Sequence, residues 1–122
     1  MAYLLDLKTF IDKRGNLTVI EKTIPFEIKR IFYIYGVDES ARGGHRHKTT
    51  VQAAICLKGS CRIYNNDGLK EEYFLLDRPS KCLILETQDW HTMDRFSTDA
   101  ILMLLASEYF DQQDYIFEPY TK

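Results

Sequence analysis

The stretch "ARGGHRHKTT", residues 41–50, sets two glycines, two arginines and two histidines in one short run. Its histidines, His45 and His47, stand at i and i+2, a spacing that turns both imidazoles to one face of an extended strand. Three chemistries are open to such a pair: metal ligation, proton transfer between neighbouring rings, or polar residues beside a glycine turn.

Working outward from this run, short strand signals recur at the rhythm of a sandwich or barrel. "YLLDLKTF" and "NLTVIEK" flank a turn at Gly15, and "IKRIFYIYG" is a β-branched and aromatic run ending at Gly36. "VQAAICLKG" ends at Gly59, and "SCRIYN" enters "NDG", a hairpin signal from which "LKEEYFLL" returns. "KCLILET", "WHTMDRFS" and "AILMLLAS" complete the series. The last has a helix-compatible composition, but its length favours a buried strand. The aromatic and acidic tail "EYFDQQDYIFEPY" has no clean period and reads as a short helix or an arm packed on the barrel or on a partner. The expectation is an all-β chain with a single domain over residues 1–122.

Net charge is −2, so no global field draws the chain to nucleic acid or to an anionic membrane. The basic residues are scattered except for Arg42, Arg46 and Lys48, a cluster suited to a small anionic ligand. Cys56, Cys61 and Cys82 lack CxxC spacing and read as reduced thiols of a cytoplasmic protein. "MAYLLDLKTF" is not a signal peptide, and the longest apolar run, "AILMLLA", is too short to span a bilayer.

A glycine before H-x-H, followed by a strand ending in glycine, resembles the first half of a cupin signature. Gln52 stands where that signature has glutamate, Gly59 at its glycine, and His91 of "DWHTM" where the second half ends in histidine. Glu86 and Gln88 replace the proline and glycine usual upstream of it. Three histidines and a glutamine suit several transition metals, but an amide in place of the carboxylate weakens attraction for a dication. Strand parity adds an obstacle: His45 and His47 group with Val51, Ala53, Ile55 and Leu57, so Gln52 joins them only through a bulge. Proton transfer suits imidazoles that titrate near neutrality, and two close rings repel each other's charged form, favouring a neutral base.

"DKRGNL", "PFEIKRIFYIYGV", "RGGHRHK", "ICLKGSCRIYNNDG" and "LLASEYFDQQDYI" together resemble the dTDP-4-dehydro-6-deoxyglucose 3,4-ketoisomerases over nearly the whole chain. The resemblance implies a cupin jelly roll that uses no metal and no cofactor. It implies a homodimer in which the N-terminal strand "YLLDLKTF" can exchange. The substrate implied is a dTDP-linked 4-keto-6-deoxyhexose, whose C3 proton is removed, with return of a proton at C4 of an enediol. The 3-keto product would feed 3-amino-3,6-dideoxyhexoses such as those of lipopolysaccharide O-antigens.

Carried onto this chain, the resemblance makes His47 the principal base and His45 its partner. Tyr33 becomes a phenol donor to the developing enediolate. Arg42 and Arg14 are candidates for the diphosphate, and His91 either lines the pocket or is an interior histidine. Arg30 has the opposite strand parity to Tyr33 and ranks lower. Arg46, where the family more often has alanine, turns away from the cavity by alternation. Two other readings stay open: a metal-dependent cupin oxygenase or hydrolase using His45, His47, His91 and Gln52, and a non-catalytic sugar-nucleotide-binding cupin.

Overall fold

The computed structural model describes residues 1–121. Twelve strands occur among them: β1 (Tyr3–Asp6), β2 (Lys8–Asp12), β3 (Gly15–Val19), β4 (Arg30–Ile34), β5 (Arg42–His47), β6 (Gln52–Lys58), β7 (Cys61–Asn66), β8 (Glu71–Leu76), β9 (Lys81–Leu85), β10 (Trp90–Asp94), β11 (Ile101–Ala106) and β12 (Tyr115–Ile116). They form two five-stranded sheets, β1-β9-β6-β11-β4 and β12-β5-β10-β7-β8, with β2-β3 as a separate hairpin. Every pairing is antiparallel. The expected all-β jelly roll is the observed architecture, and "AILMLLAS" is the strand β11 that its length suggested. "YLLDLKTF" is two strands rather than one, broken at Leu7, which is buried.

The two sheets differ in how many faces they bury, and this explains their sequences. The first sheet packs Ala54, Cys56, Leu83, Leu85, Leu102 and Leu104 inward, against Cys61, Ile63, Leu76 and Met93 of the second. Its outer face carries Ala53, Ile55, Cys82, Ile84 and Leu105, covered by Leu7, Ile20, Ile24 and Phe26. Strands buried on both faces read as unbroken apolar runs, as in "AAIC" and "CLIL". The second sheet is wet on one face, so "CRIYNN" of β7 alternates buried and half-buried residues.

That layering overturns the parity drawn through the histidine run. β5 and β6 belong to different sheets, and residues 48–51 between them are not strand. Alternation therefore does not carry across: Ala53 and Ile55 face outward, while Gln52 shares the inward phase of Ala54 and Cys56 without any bulge in β6 being needed.

A bulge does occur, on the neighbouring pairing. His45 lies opposite His91 and Gly43 opposite Thr92, with a register shift between His91 and Thr92 that leaves Gly44 as the extra residue of β5. Gly43 and Gly44 have φ of +85° and +82°, a region costly for any residue with a Cβ. A Cβ on Gly43 would lie 3.0 Å from the His91 carbonyl oxygen. The glycines before H-x-H thus let β5 press against β10 and set His45 directly beside His91.

Candidate active site

The barrel interior changes character along its length. On β7 the inward residues run Cys61, Ile63, Asn65; on β10, Met93 then His91; on β6, Cys56, Ala54, Gln52. His91 pairs in register with Asn65 on one side and His45 on the other, which fixes a polar level across the second sheet. His47, Gln52, Asn65 and His91 are all buried there.

The three imidazoles converge. Ring centroids lie 5.0 Å apart for His45 and His47, 5.1 Å for His45 and His91, and 6.4 Å for His47 and His91. Tyr115 of β12 packs edge-on against both His45 and His47 at 4.6 Å. The tail is therefore an arm on the barrel, ending in a 3₁₀ turn (Gln112–Asp114) and in β12, which pairs with the last residues of β5.

The ring nitrogens of His47 and His91 divide in the same way. His47 Nδ1 lies 2.9 Å from Asp114 Oδ2, and His91 Nδ1 lies 3.0 Å from the carbonyl oxygen of Asp89. Both Nε2 atoms are buried without a partner, as are Gln52 Oε1, Asn65 Oδ1 and Arg30 Nε. Native interiors leave few polar atoms unpaired, so such a concentration at one level marks a place built to meet a ligand. Asn65 is held by its other end, donating from Nδ2 to Asp89 Oδ1 at 2.9 Å.

The same surroundings set the charges. Burial, reinforced by the charge of His47, lowers His45 to about 4, against a weaker upward push from the Gly43 backbone. Burial lowers His91 to about 3, although the Asp89 carbonyl opposes it. His47 is also lowered by burial and by the charge of Arg30, but Asp114 pushes it back up through a hydrogen bond and its charge. All three rings are neutral near pH 7, and only His47 has a carboxylate partner.

Placement of the other sequence candidates brings corrections. Tyr33 and Arg30 do face opposite sides of β4, but the side that matters is Arg30's. Phe32 and Ile34 pack on the interior cluster, which puts Arg30 in the inward phase and Tyr33 outward. Tyr33 is 62% exposed and stacked on Tyr35, so it does not reach this chain's histidines. Arg30 extends its guanidinium over the rings of Phe32 (5.0 Å) and Phe110 (5.7 Å). Arg14 sits in the β2–β3 turn, its side chain 86% exposed and paired with Asp12 at 2.7 Å, apart from the histidines within this chain. Arg42 is exposed at the far end of β5 from His47, opposite Met93. Arg46 turns to the ring of Tyr120, as alternation expects.

Sequence reasoning missed Asp114, Tyr115 and the inward role of Arg30. The only signal for the first two was the acidic-aromatic tail itself, and no local pattern ties it to a strand more than sixty residues earlier. Among the described residues no group of three or more His, Cys, Asp or Glu is arranged to hold a metal ion. None of their helices is long and apolar enough to cross a membrane. The three cysteines are free and buried.

Comparison with known proteins agrees with this fold. The family described as FdtA, WxcM-like, C-terminal, matches residues 2–121. The chain is 44% identical over 115 residues to the TDP-4-oxo-6-deoxy-alpha-D-glucose-3,4-oxoisomerase of Aneurinibacillus thermoaerophilus, covering 92% of this chain and 83% of that protein. It superposes on a 3,4-ketoisomerase from Helicobacter canadensis with a TM-score of 0.91 at 39% identity, covering 96% of this chain and 90% of the other. A histidine-to-asparagine variant of the 3,4-ketoisomerase QdtA from Thermoanaerobacterium thermosaccharolyticum, in complex with TDP-4-keto-6-deoxyglucose, gives a TM-score of 0.92 at 40% identity, covering 96% and 87%. The chain belongs to the FdtA/WxcM-like family, that of the sugar 3,4-ketoisomerases.

Proposed function

We propose that this chain is a 3,4-ketoisomerase acting on a TDP-linked 4-keto-6-deoxyglucose, with His47 as the base. The observation that carries the assignment of the base is the buried, unpartnered Nε2 of His47, the one imidazole of the three whose other nitrogen meets a carboxylate. A neutral Nε2 removes the proton from C3, which the neighbouring C4 carbonyl acidifies. The electron pair moves into a C3–C4 enediolate, and a proton returned to C4 leaves the carbonyl at C3 while the hydroxyl proton passes from O3 to O4. His45, between His47 and His91, is the partner that exchanges this second proton.

Arg30 takes the role first given to Tyr33: a cation in the inward phase, with its Nε unpartnered, offsets negative charge developing on the enediolate oxygens. No redox cofactor is required, since the oxidation of C3 and the reduction of C4 occur within one molecule. Arg42, at the outer end of β5, is the candidate for the diphosphate.

We infer further that two copies pair. Ile31, Tyr33 and Tyr35 on or beside the edge strand β4, with Phe10, Ile11 and Leu17 on the hairpin, are exposed large hydrophobics. β1 pairs with β9 of its own chain, a pairing that a second copy can supply identically by exchange. A dimer built through the hairpin would also give Arg14 a partner site to face. Free, buried thiols accord with a cytoplasmic location.

The test is to incubate the protein with TDP-4-keto-6-deoxyglucose in D₂O and follow the C3 proton by NMR. Exchange at C3 and a new 3-keto species, both persisting in EDTA, are expected. No exchange rejects the reading, and activity that disappears in EDTA and returns with a metal favours the metal-dependent alternative.

A further inference from the structure

We propose that Asn65 is a substrate-binding residue whose Oδ1, turned into the polar level by Asp89, accepts a hydrogen bond from the C2 hydroxyl of the sugar. This rests on the ketoisomerase reading above and extends the site to β7 and to the turn before β10. Asp89 ends the turn between β9 and β10 and is fully buried. Its Oδ2 accepts from Glu86 N at 2.7 Å, and its own N donates to Glu86 O at 3.0 Å, which holds the carboxyl group in place. Oδ1 accepts from Asn65 Nδ2 at 2.9 Å. The –NH₂ end of Asn65 is thus committed to Asp89, and its carbonyl end is left to the barrel interior.

Asp89 also sets the neighbour. His91, opposite Asn65 in register, has its Nδ1 3.0 Å from the Asp89 carbonyl oxygen. A carbonyl only accepts, so the proton of the neutral ring lies on Nδ1 and Nε2 keeps a lone pair. Asn65 Oδ1 and His91 Nε2 are therefore two acceptors side by side. Neither can satisfy the other, and both are buried without a partner. Acceptors held in this way cost free energy until a donor arrives from outside. The proposed substrate offers two ring hydroxyls, at C2 and C3. The C3 hydroxyl loses its proton to O4 during the isomerisation. The C2 hydroxyl keeps its proton throughout, so it is the donor that a neutral amide oxygen can hold from start to finish. Gln52 Oε1, the other unpaired amide oxygen, lies on β6 in the facing sheet and is the rival acceptor.

The test is calorimetric binding of two ligands without a keto group, TDP-6-deoxyglucose and TDP-2,6-dideoxyglucose, which differ only in the C2 hydroxyl and cannot isomerise. Wild-type protein should bind the second about 10-fold to 50-fold more weakly, the cost of leaving a buried acceptor unpaired. Asn65→Ala should bind the first more weakly and discriminate between the two by less than about threefold. Equal affinities in the wild type overturn the proposal, since Oδ1 then meets nothing more than water. A folded Asn65→Ala protein that keeps the full discrimination overturns it too, because Asn65 would then be packing alone. Should that variant not fold, Gln52→Ala decides: discrimination retained supports Asn65, and discrimination lost gives the contact to Gln52. Binding with the expected discrimination but no turnover of TDP-4-keto-6-deoxyglucose counts against the ketoisomerase reading alone. No binding of either ligand overturns both.

Discussion

The two ends of the barrel interior are built on the same strands and differ by a single inward step. Ile63 gives way to Asn65 on β7, Met93 to His91 on β10, and Ala54 to Gln52 on β6. At the apolar end Cys61, Ile63, Leu76, Leu102 and Leu104 are fully buried and leave no side-chain nitrogen or oxygen without a partner. At the polar end five buried side-chain atoms, on Arg30, His47, Gln52, Asn65 and His91, find no partner. The first end holds the sheets together by hydrophobic burial. The second gives up part of that stabilisation to keep donors, acceptors and a cation ready, the usual arrangement where a fold departs from its own packing rules.

Substitutions can break this contrast. His47→Asn at the polar end should cost about 10³-fold in kcat while leaving the thermal midpoint nearly unchanged; isomerisation followed by NMR, with a melt alongside, checks both. Leu104→Ala at the apolar end should do the reverse. It should destabilise the fold by about 2–5 kcal/mol, measured by urea unfolding, with activity per folded molecule nearly retained. Arg30→Gln is expected to lower kcat by roughly 10-fold to 50-fold. It should move the acid limb of kcat/KM to higher pH, since its charge lowers His47. Asp114→Asn should displace it the other way, because the group that raises His47 is lost, so the two pH profiles sharpen the assignment together.

The smallest effect concerns the fold as a whole. His45 and His91 are lowered to about 4 and about 3 from 6.5, so between those values the unfolded chain binds protons that the folded one refuses. Stability should therefore rise with pH across that window and be lost on acidification, read as a melting temperature that falls between pH 7 and pH 5. His91→Gln should flatten part of that slope in a pH series of melts.

Much of the molecule was legible from local patterns. The strand rhythm, the hairpin at "NDG" and the shared face of His45 and His47 follow from period-2 geometry acting within one element. Where the reading failed, it had carried a local rule across a break. Parity was extended from β5 into β6 although residues 48–51 pass from one sheet to the other, which misplaced Gln52. Arg30 and Tyr33 were rightly set on opposite faces of β4, but alternation does not say which face is inside when the outer side is apolar as well.

The amino-acid sequence by itself determined that the chain is all-β, that His45 and His47 share one face of a strand, and that a glycine-rich entry precedes them. Periodicity and backbone permissiveness are properties of neighbouring residues. Only the tertiary structure decided which face of each strand looks inward, that His91 completes the cluster, and that the tail returns to set Asp114 against His47. Those facts depend on register between strands and on contacts spanning 67 residues of chain, for which no local preference speaks.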